Sequence, residues 1–394
     1  MSQHHHSDDE SAANTAALKR RVATLEEEKA QFQEDSENKK NRGNAYVLHG
    51  RVIRRLVSLT DHVEYMIGEF DRRAALDDPE EAHSEEQERL YRSYKELIRW
   101  IPSIRKLLSS DSDVYDLATV YSQLMHGADG ARGDDCANLK VAVAAWLMED
   151  GATNLQTRYK FGRGFYHETT GRLICPADYN WDDPIVKENI RSYHPDYLVT
   201  ANSWPTFLYE DNKFYPDDPE RGLFRGSLLV KAFKFIFTSP SSASGTHPGG
   251  EEPALQPSQK RLKTSSDRRT RSNIAALMGM KAVQPRAIAY IAVQVRFALS
   301  SCGSWRIVDE DFDYEAFHNS IVDYFELPPT PEDKTAVEEL LLWWNRQVFG
   351  RTNSSVYRPQ PVKKLSVYRS LARRPKPAAQ SRSNQGSSAT HPRI

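Results

Sequence analysis

Residues 285–299 read Pro285-Arg-Ala-Ile-Ala-Tyr-Ile-Ala-Val-Gln-Val-Arg-Phe-Ala-Leu299, and the fold turns on this stretch. Proline suits a first helical position, where its fixed φ helps and its missing N–H is not needed. Ile288, Ala289, Ile291, Ala292, Val295, Phe297, Ala298 and Leu299 then cover nearly every face of a helix, the pattern of burial on all sides. Interrupted by Gln294 and Arg296, the stretch is too short to span a bilayer, so it predicts a central core helix. Arg296 should either reach the surface or meet a carboxylate, because an unpaired buried guanidinium is costly. Gly303 stands where a C-cap belongs.

Outward from this helix the chain reads as more helix. Tyr314, Phe317, Ile321, Val322 and Phe325 give a clean one-sided stripe. Thr330-Pro-Glu-Asp is a capping signal that opens a helix through Val337, Leu340, Leu341, Trp344 and Val348, ending near Gly350. Upstream, Gly226 to Phe237 is a helix, Ser203 to Tyr209 a short one, and Asp182 or Asp183 caps another at Pro184. Earlier stripes run over Val52–Phe70, over Leu90–Leu108 with a kink at Pro102, over Val114–Leu124 after a capping Asp111 or Ser112, and over Leu139–Met148. Ala16–Phe32 has a/d spacing for about two heptads, short of the three or four that argue for a coiled coil. Between them, residues 159–180 are turn-rich and aromatic, spaced as a small hairpin around Gly171 would be. The fold class is therefore mainly α: a multi-helix domain with one turn-rich segment and long disordered arms.

Composition sets the arms apart. The apolar share is 39 %, below the roughly 45–50 % usual for compact domains. Mean hydropathy is −0.67. Between Thr238 and Gln259, twelve of 22 residues are Pro, Gly or Ser, and Leu255 is the one large apolar side chain. Such a run buries too little to offset its ordering entropy. The expected organisation is a flexible 1–45 with a short amphipathic helix, a helical 46–150, a domain split into 151–237 and 273–350 by a disordered basic insertion at 238–272, and a basic tail at 351–394. That tail holds ten of the 53 Lys+Arg and none of the 54 acidic residues, which leaves residues 1–350 with a net charge of −11. An amino terminus of MSQHHHSDDE has no apolar h-region, and three cysteines far apart make no disulfide scaffold, so an intracellular, reducing compartment is expected.

Several segments form a linear set: Phe165 through Pro184, Trp204-Pro-Thr-Phe-Leu-Tyr-Glu, Gly222-Leu-Phe-Arg-Gly-Ser-Leu-Leu-Val-Lys-Ala-Phe-Lys, Phe237-Thr-Ser-Pro-Ser-Ser-Ala, Arg269-Thr-Arg-Ser-Asn-Ile-Ala-Ala-Leu-Met-Gly-Met and Pro285-Arg-Ala-Ile-Ala-Tyr. Over roughly residues 159–368 the set resembles an uncharacterised domain family of mushroom-forming (basidiomycete) fungi. The resemblance implies family membership and a freely varying insertion at Ser244–Gln259. It implies no activity, cofactor or site residue.

Chemistry has few footholds. Asp309, Glu310, Asp311, Asp313 and Glu315 with His318 could serve a metal-dependent nuclease, which needs clustered carboxylates. The favoured reading is that acidic residues cap the Tyr314 helix and complement its dipole, and Asp178, Asp182 and Asp183 are read the same way. His167, Cys175 and His194 lack paired metal-ligand spacing. Cys175 and Cys302 read as inert core thiols. Phe161-Gly-Arg-Gly is only superficially a phosphate loop. No catalytic residue, metal or cofactor is assigned. The basic runs weigh more: Lys260, Arg261, Lys263, Arg268, Arg269 and Arg271, then Lys363, Lys364, Arg373 and Arg374 in the tail. They have the form of phosphate contacts, and Lys260-Arg-Leu-Lys that of a nuclear-import signal. The expected function is a non-enzymatic nuclear interaction protein whose basic arms bind nucleic acid or acidic partners without sequence preference. The alternative is a metal-dependent enzyme on nucleic acid with its carboxylates at 309–318.

Overall fold

Pro285 opens a helix that runs to Leu299, and every residue from Arg286 onward is buried. The computed structural model describes residues 21, 29, 45–76, 83–108, 114–243 and 273–353, all within one compact unit, Met1–Tyr357. Its first helices are α1 (Ile53–Leu56), α2 (Val63–Ala74), α3 (Glu85–Trp100), α4 (Ser103–Leu108) and α5 (Val114–Glu149). The chain continues through α6 (Glu168–Ile174), α7 (Pro184–Arg191), α8 (Ser227–Phe237), α9 (Pro240–Ala243) and α10 (Ile274–Leu277). After these come α11 (Pro285–Leu299), α12 (Tyr314–Glu326) and α13 (Pro331–Asn353). Residues 45–50 are also helical. Among the described residues the one sheet is an antiparallel hairpin, β1 (Val308–Asp309) and β2 (Phe312–Asp313), with Val308 opposite Asp313. The fold is mainly α. No helix among the described residues is long and apolar enough to cross a membrane.

Helix α11 is the axle: α1, α5, α6, α8 and α12 all pack on it. Phe233, Phe237, Tyr290, Phe317 and Trp344 fill the main core around it. A second cluster, including Ile53, Met66, Leu97 and Leu124, lies among α1–α4 and the first half of α5. Charged groups bridge the two. Arg55 makes two 2.8 Å hydrogen bonds to Asp135, which also accepts from Tyr290 Oη at 2.8 Å. Arg286 donates to Glu326 at 2.7 and 3.0 Å, and Arg92 to Asp323 at 2.8 Å. Both members of the Arg55–Asp135 pair are almost wholly buried, so each is tolerable only because the other is present.

Several expected boundaries move. The Val52–Phe70 stripe is two helices, because Ser58 and Asp61 bond each other in a polar turn: Ser58 Oγ donates to Asp61 Oδ2 at 2.7 Å and accepts from Asp61 N at 3.0 Å. Conversely, the stripes at 114–124 and 139–148 belong to one helix, α5, despite Gly127, Gly130 and Gly133. The break at Pro102 stands, between α3 and α4. No hairpin forms around Gly171. That residue lies inside α6, where a Cβ would come within 2.3 Å of the Trp181 ring, so glycine serves close packing and not a turn. The expected helix at Ser203–Tyr209 shrinks to a 3-10 turn, Thr206–Leu208, after Pro205. Helix α11 is capped by extended Ser300, not by Gly303. Order extends past the expected boundary at 238, since α9 buries Ala243. The Asp111/Ser112 cap, most of Ala16–Phe32, the rest of the insertion and the tail beyond 353 lie outside the described residues.

Candidate functional site

The carboxyl end of α11 gathers cations. A helix C-terminus leaves four carbonyls without intrahelical donors and carries partial negative charge. Arg163, fully buried, answers this directly: it donates to Ala298 O at 2.7 Å and also to Gln156 O at 2.7 Å and Lys140 O at 2.9 Å. Its flanking Gly162 and Gly164 both have positive φ, so the Phe161-Gly-Arg-Gly loop turns its arginine inward and is no phosphate cradle. Lys160, 4 % exposed, donates to Ser300 Oγ at 3.2 Å and lies 3.3 Å from the centre of the Phe297 ring. Burial pulls its ammonium down to about 7. A near-neutral lysine beside a serine outlines a catalytic pair. However, Ser300 Oγ donates to Phe297 O at 3.0 Å, and the negative helix end opposes an oxyanion at that place. Ser300 is a cap.

Arg296 departs from expectation. It neither reaches the surface nor pairs with a carboxylate: it is 4 % exposed, its Nε has no partner among the described residues, and its guanidinium lies 4.0 Å from the Phe312 ring centre. Burial lowers its pKa, and Tyr314, Asp309 and Glu310 oppose that only through space. Arg296 faces a cavity of about 40 Å³, shared with Arg191, Tyr193, Ser300 and the hairpin residues Asp309–Asp311. At the rim, Tyr193 Oη donates to Glu310 Oε1 at 2.7 Å, and this bond raises the tyrosine's pKa. Both residues sit in the left-handed region, at φ 56° and 59°. Neither is a glycine, and strain of this kind collects at functional sites.

The acidic set divides. Asp309, Glu310 and Asp311 border the cavity, whereas Asp313 caps α12, accepting from Glu315 N at 2.8 Å and Ala316 N at 3.0 Å. Glu315 accepts from Thr60 Oγ1. His318 is buried beside Asn319, and burial lowers its pKa to about 4, which keeps it neutral. Capping is thus the role of Asp313, and of Asp183 at α7. Asp182 pairs with Arg172. The imidazoles do not gather either: His167 caps α6 through Nδ1, and His194 accepts from Asp196 N at 3.2 Å. Burial pushes the Cys175 and Cys136 thiols up to about 12, and raises Cys302. Among the described residues no group of three His, Cys, Asp or Glu could hold a metal ion. The basic residues Lys260–Arg271 and Lys363–Arg374 lie outside the described residues. What sequence reasoning missed is the cavity itself, although Arg296, a charge within an apolar run, was its visible signal.

The model of a family of unknown function (DUF6698) matches residues 126–349, more than half of the chain. No curated protein and no solved structure matches it.

Proposed function

The chain belongs to a family of unknown function, DUF6698, and we propose that it acts as a non-enzymatic interaction protein of the nucleus, bringing a helical body to nucleic acid or acidic partners through basic segments. The observation that carries this reading is the charge asymmetry: ten Lys/Arg and no acid in residues 351–394, against a net of −11 in residues 1–350. Lys260-Arg-Leu-Lys adds the form of an import signal. The resemblance implies a fungal, hence nucleated, cell for that signal to address. The use of Asp313, Asp183 and Arg-paired carboxylates as structural groups favours binding over metal-dependent chemistry.

The test is a fluorescence-anisotropy titration of duplex DNA against salt, with the full chain and with residues 1–350. If the tail neutralises about five phosphates, log affinity falls with log salt at a slope near −4 to −5, without sequence preference. Residues 1–350 should give a much flatter slope. Neutralising Lys260, Arg261, Lys263, Arg268, Arg269 and Arg271 together should reduce nuclear accumulation. Equal slopes with an unaltered distribution in cells would remove the basis of the reading.

A further inference from the structure

The cavity under the β1–β2 hairpin is built differently from the other clefts. Those beside α3 are lined by Arg89, Arg92, Asp323 and Glu326, whose charges are already paired with one another. Arg296 is not. A guanidinium carries five donors and is costly to bury without acceptors, yet this one is 4 % exposed, has no partner for its Nε among the described residues and faces an open space. That space, about 40 Å³, exceeds the roughly 10–15 Å³ that one water needs. It takes a group of carboxylate size, and anything larger must extend through the mouth. Arg191 borders the same space, with its Nε on Phe165 O at 2.8 Å.

The mouth has the opposite character. Asp309, Glu310 and Asp311 border it together with Tyr166 and Tyr193, both substantially exposed. Carboxylates beside aromatic faces attract a cationic group. One buried guanidinium within, a second bordering the space and three carboxylates at the edge leave neither a simple anion nor a simple cation complementary to the whole. We propose that this cavity binds a small zwitterion of amino-acid type, its carboxylate on Arg296 and its ammonium at the acidic hairpin. The Tyr193–Glu310 bond holds the rim, and its two left-handed residues are the backbone cost of that shape.

The test uses the full chain in isothermal calorimetry, with glycine and L-alanine as probes against acetate and ethylamine. The expected result is saturable one-site binding of a zwitterion at least about tenfold tighter than of either half-ligand. Arg296→Met should abolish it while leaving the melting temperature equal or higher, because the variant removes an unpaired buried charge. Glu310→Gln, at the exposed rim, should weaken zwitterion binding and leave acetate unchanged; this variant carries the test if Arg296→Met fails to fold. Absence of zwitterion binding, acetate or ethylamine binding as tightly as glycine, or unchanged zwitterion binding in either variant would overturn the proposal.

Discussion

Phe297 supports two neighbours at once: Lys160 Nζ above its ring at 3.3 Å and Trp305 edge-on with centroids 5.3 Å apart. Phe297→Ala should therefore cost about 3–5 kcal/mol in equilibrium unfolding; an unshifted transition would mean that the core does not rest on this ring. Lys160 makes a pH prediction. Its folded pKa of about 7 lies below the ordinary 10.5, so below pH 7 the folded state bears the full penalty of a buried charge. As pH rises from 7 to 10.5, the unfolded chain still holds a proton that the folded one has released, and stability climbs. His318, lowered to about 4 from 6.5, adds the same sign between those values. Denaturation at a series of pH values should show the upper climb in the natural protein and a flatter profile in Lys160→Met. The sequence betrayed Arg296 as odd, since a charge within an apolar run is visible to any reader. It could not reveal that Lys160 and Arg163 turn inward, because that depends on where the end of α11, more than a hundred residues later, comes to rest.

Among elements, helical residues 45–50 and α5 approach each other closely. A Cβ on Gly50 would lie 2.0 Å from Leu124 O, and one on Gly127 would lie 1.9 Å from Val47 O. The two backbones touch through paired glycines. Gly133, farther along α5, has no atom of the described residues within 4 Å of a Cβ. Hence Gly127→Ala should destabilise by about 1–3 kcal/mol, whereas Gly133→Ala should stabilise by roughly 0.5–1 kcal/mol through helix propensity. Urea titrations of the two variants check this, and matching shifts would refute the crossing. The same contrast explains which elements were legible. Asp183-Pro184 and Thr330-Pro331 mark their helices because caps are local chemistry. The continuity of α5 through three glycines was not legible, since the neighbour that makes Gly127 necessary is distant in sequence. Gly171 misled for the same reason: a turn and a tight contact with Trp181 both call for glycine.

At the scale of the molecule, the family match begins at residue 126, inside α5, so its boundary cuts a continuous helix. Arg55, outside the match, holds Asp135 and through it Tyr290, both inside. Removing one partner of a buried pair costs about 3–5 kcal/mol, a large part of the roughly 5–15 kcal/mol that stabilises a domain. A fragment of residues 126–353 should therefore lose its cooperative transition and bind a hydrophobic dye, while residues 45–353 behave as the whole chain does. A sharp, unshifted transition in the shorter fragment would make the amino-terminal layer dispensable. The central position of α11 also bears on biosynthesis. At about 5–20 residues per second, a ribosome takes roughly 15–60 s to reach Leu299. By then the second cluster, whose buried members all lie within residues 53–128, is complete. The faces that α5, α6 and α8 present to α11 have been waiting for a partner not yet made. The nascent chain thus spends much of its synthesis as a finished small core tethered to an unfinished large one, and an interruption before residue 285 releases a polypeptide with its most apolar surfaces open to chaperones or to aggregation.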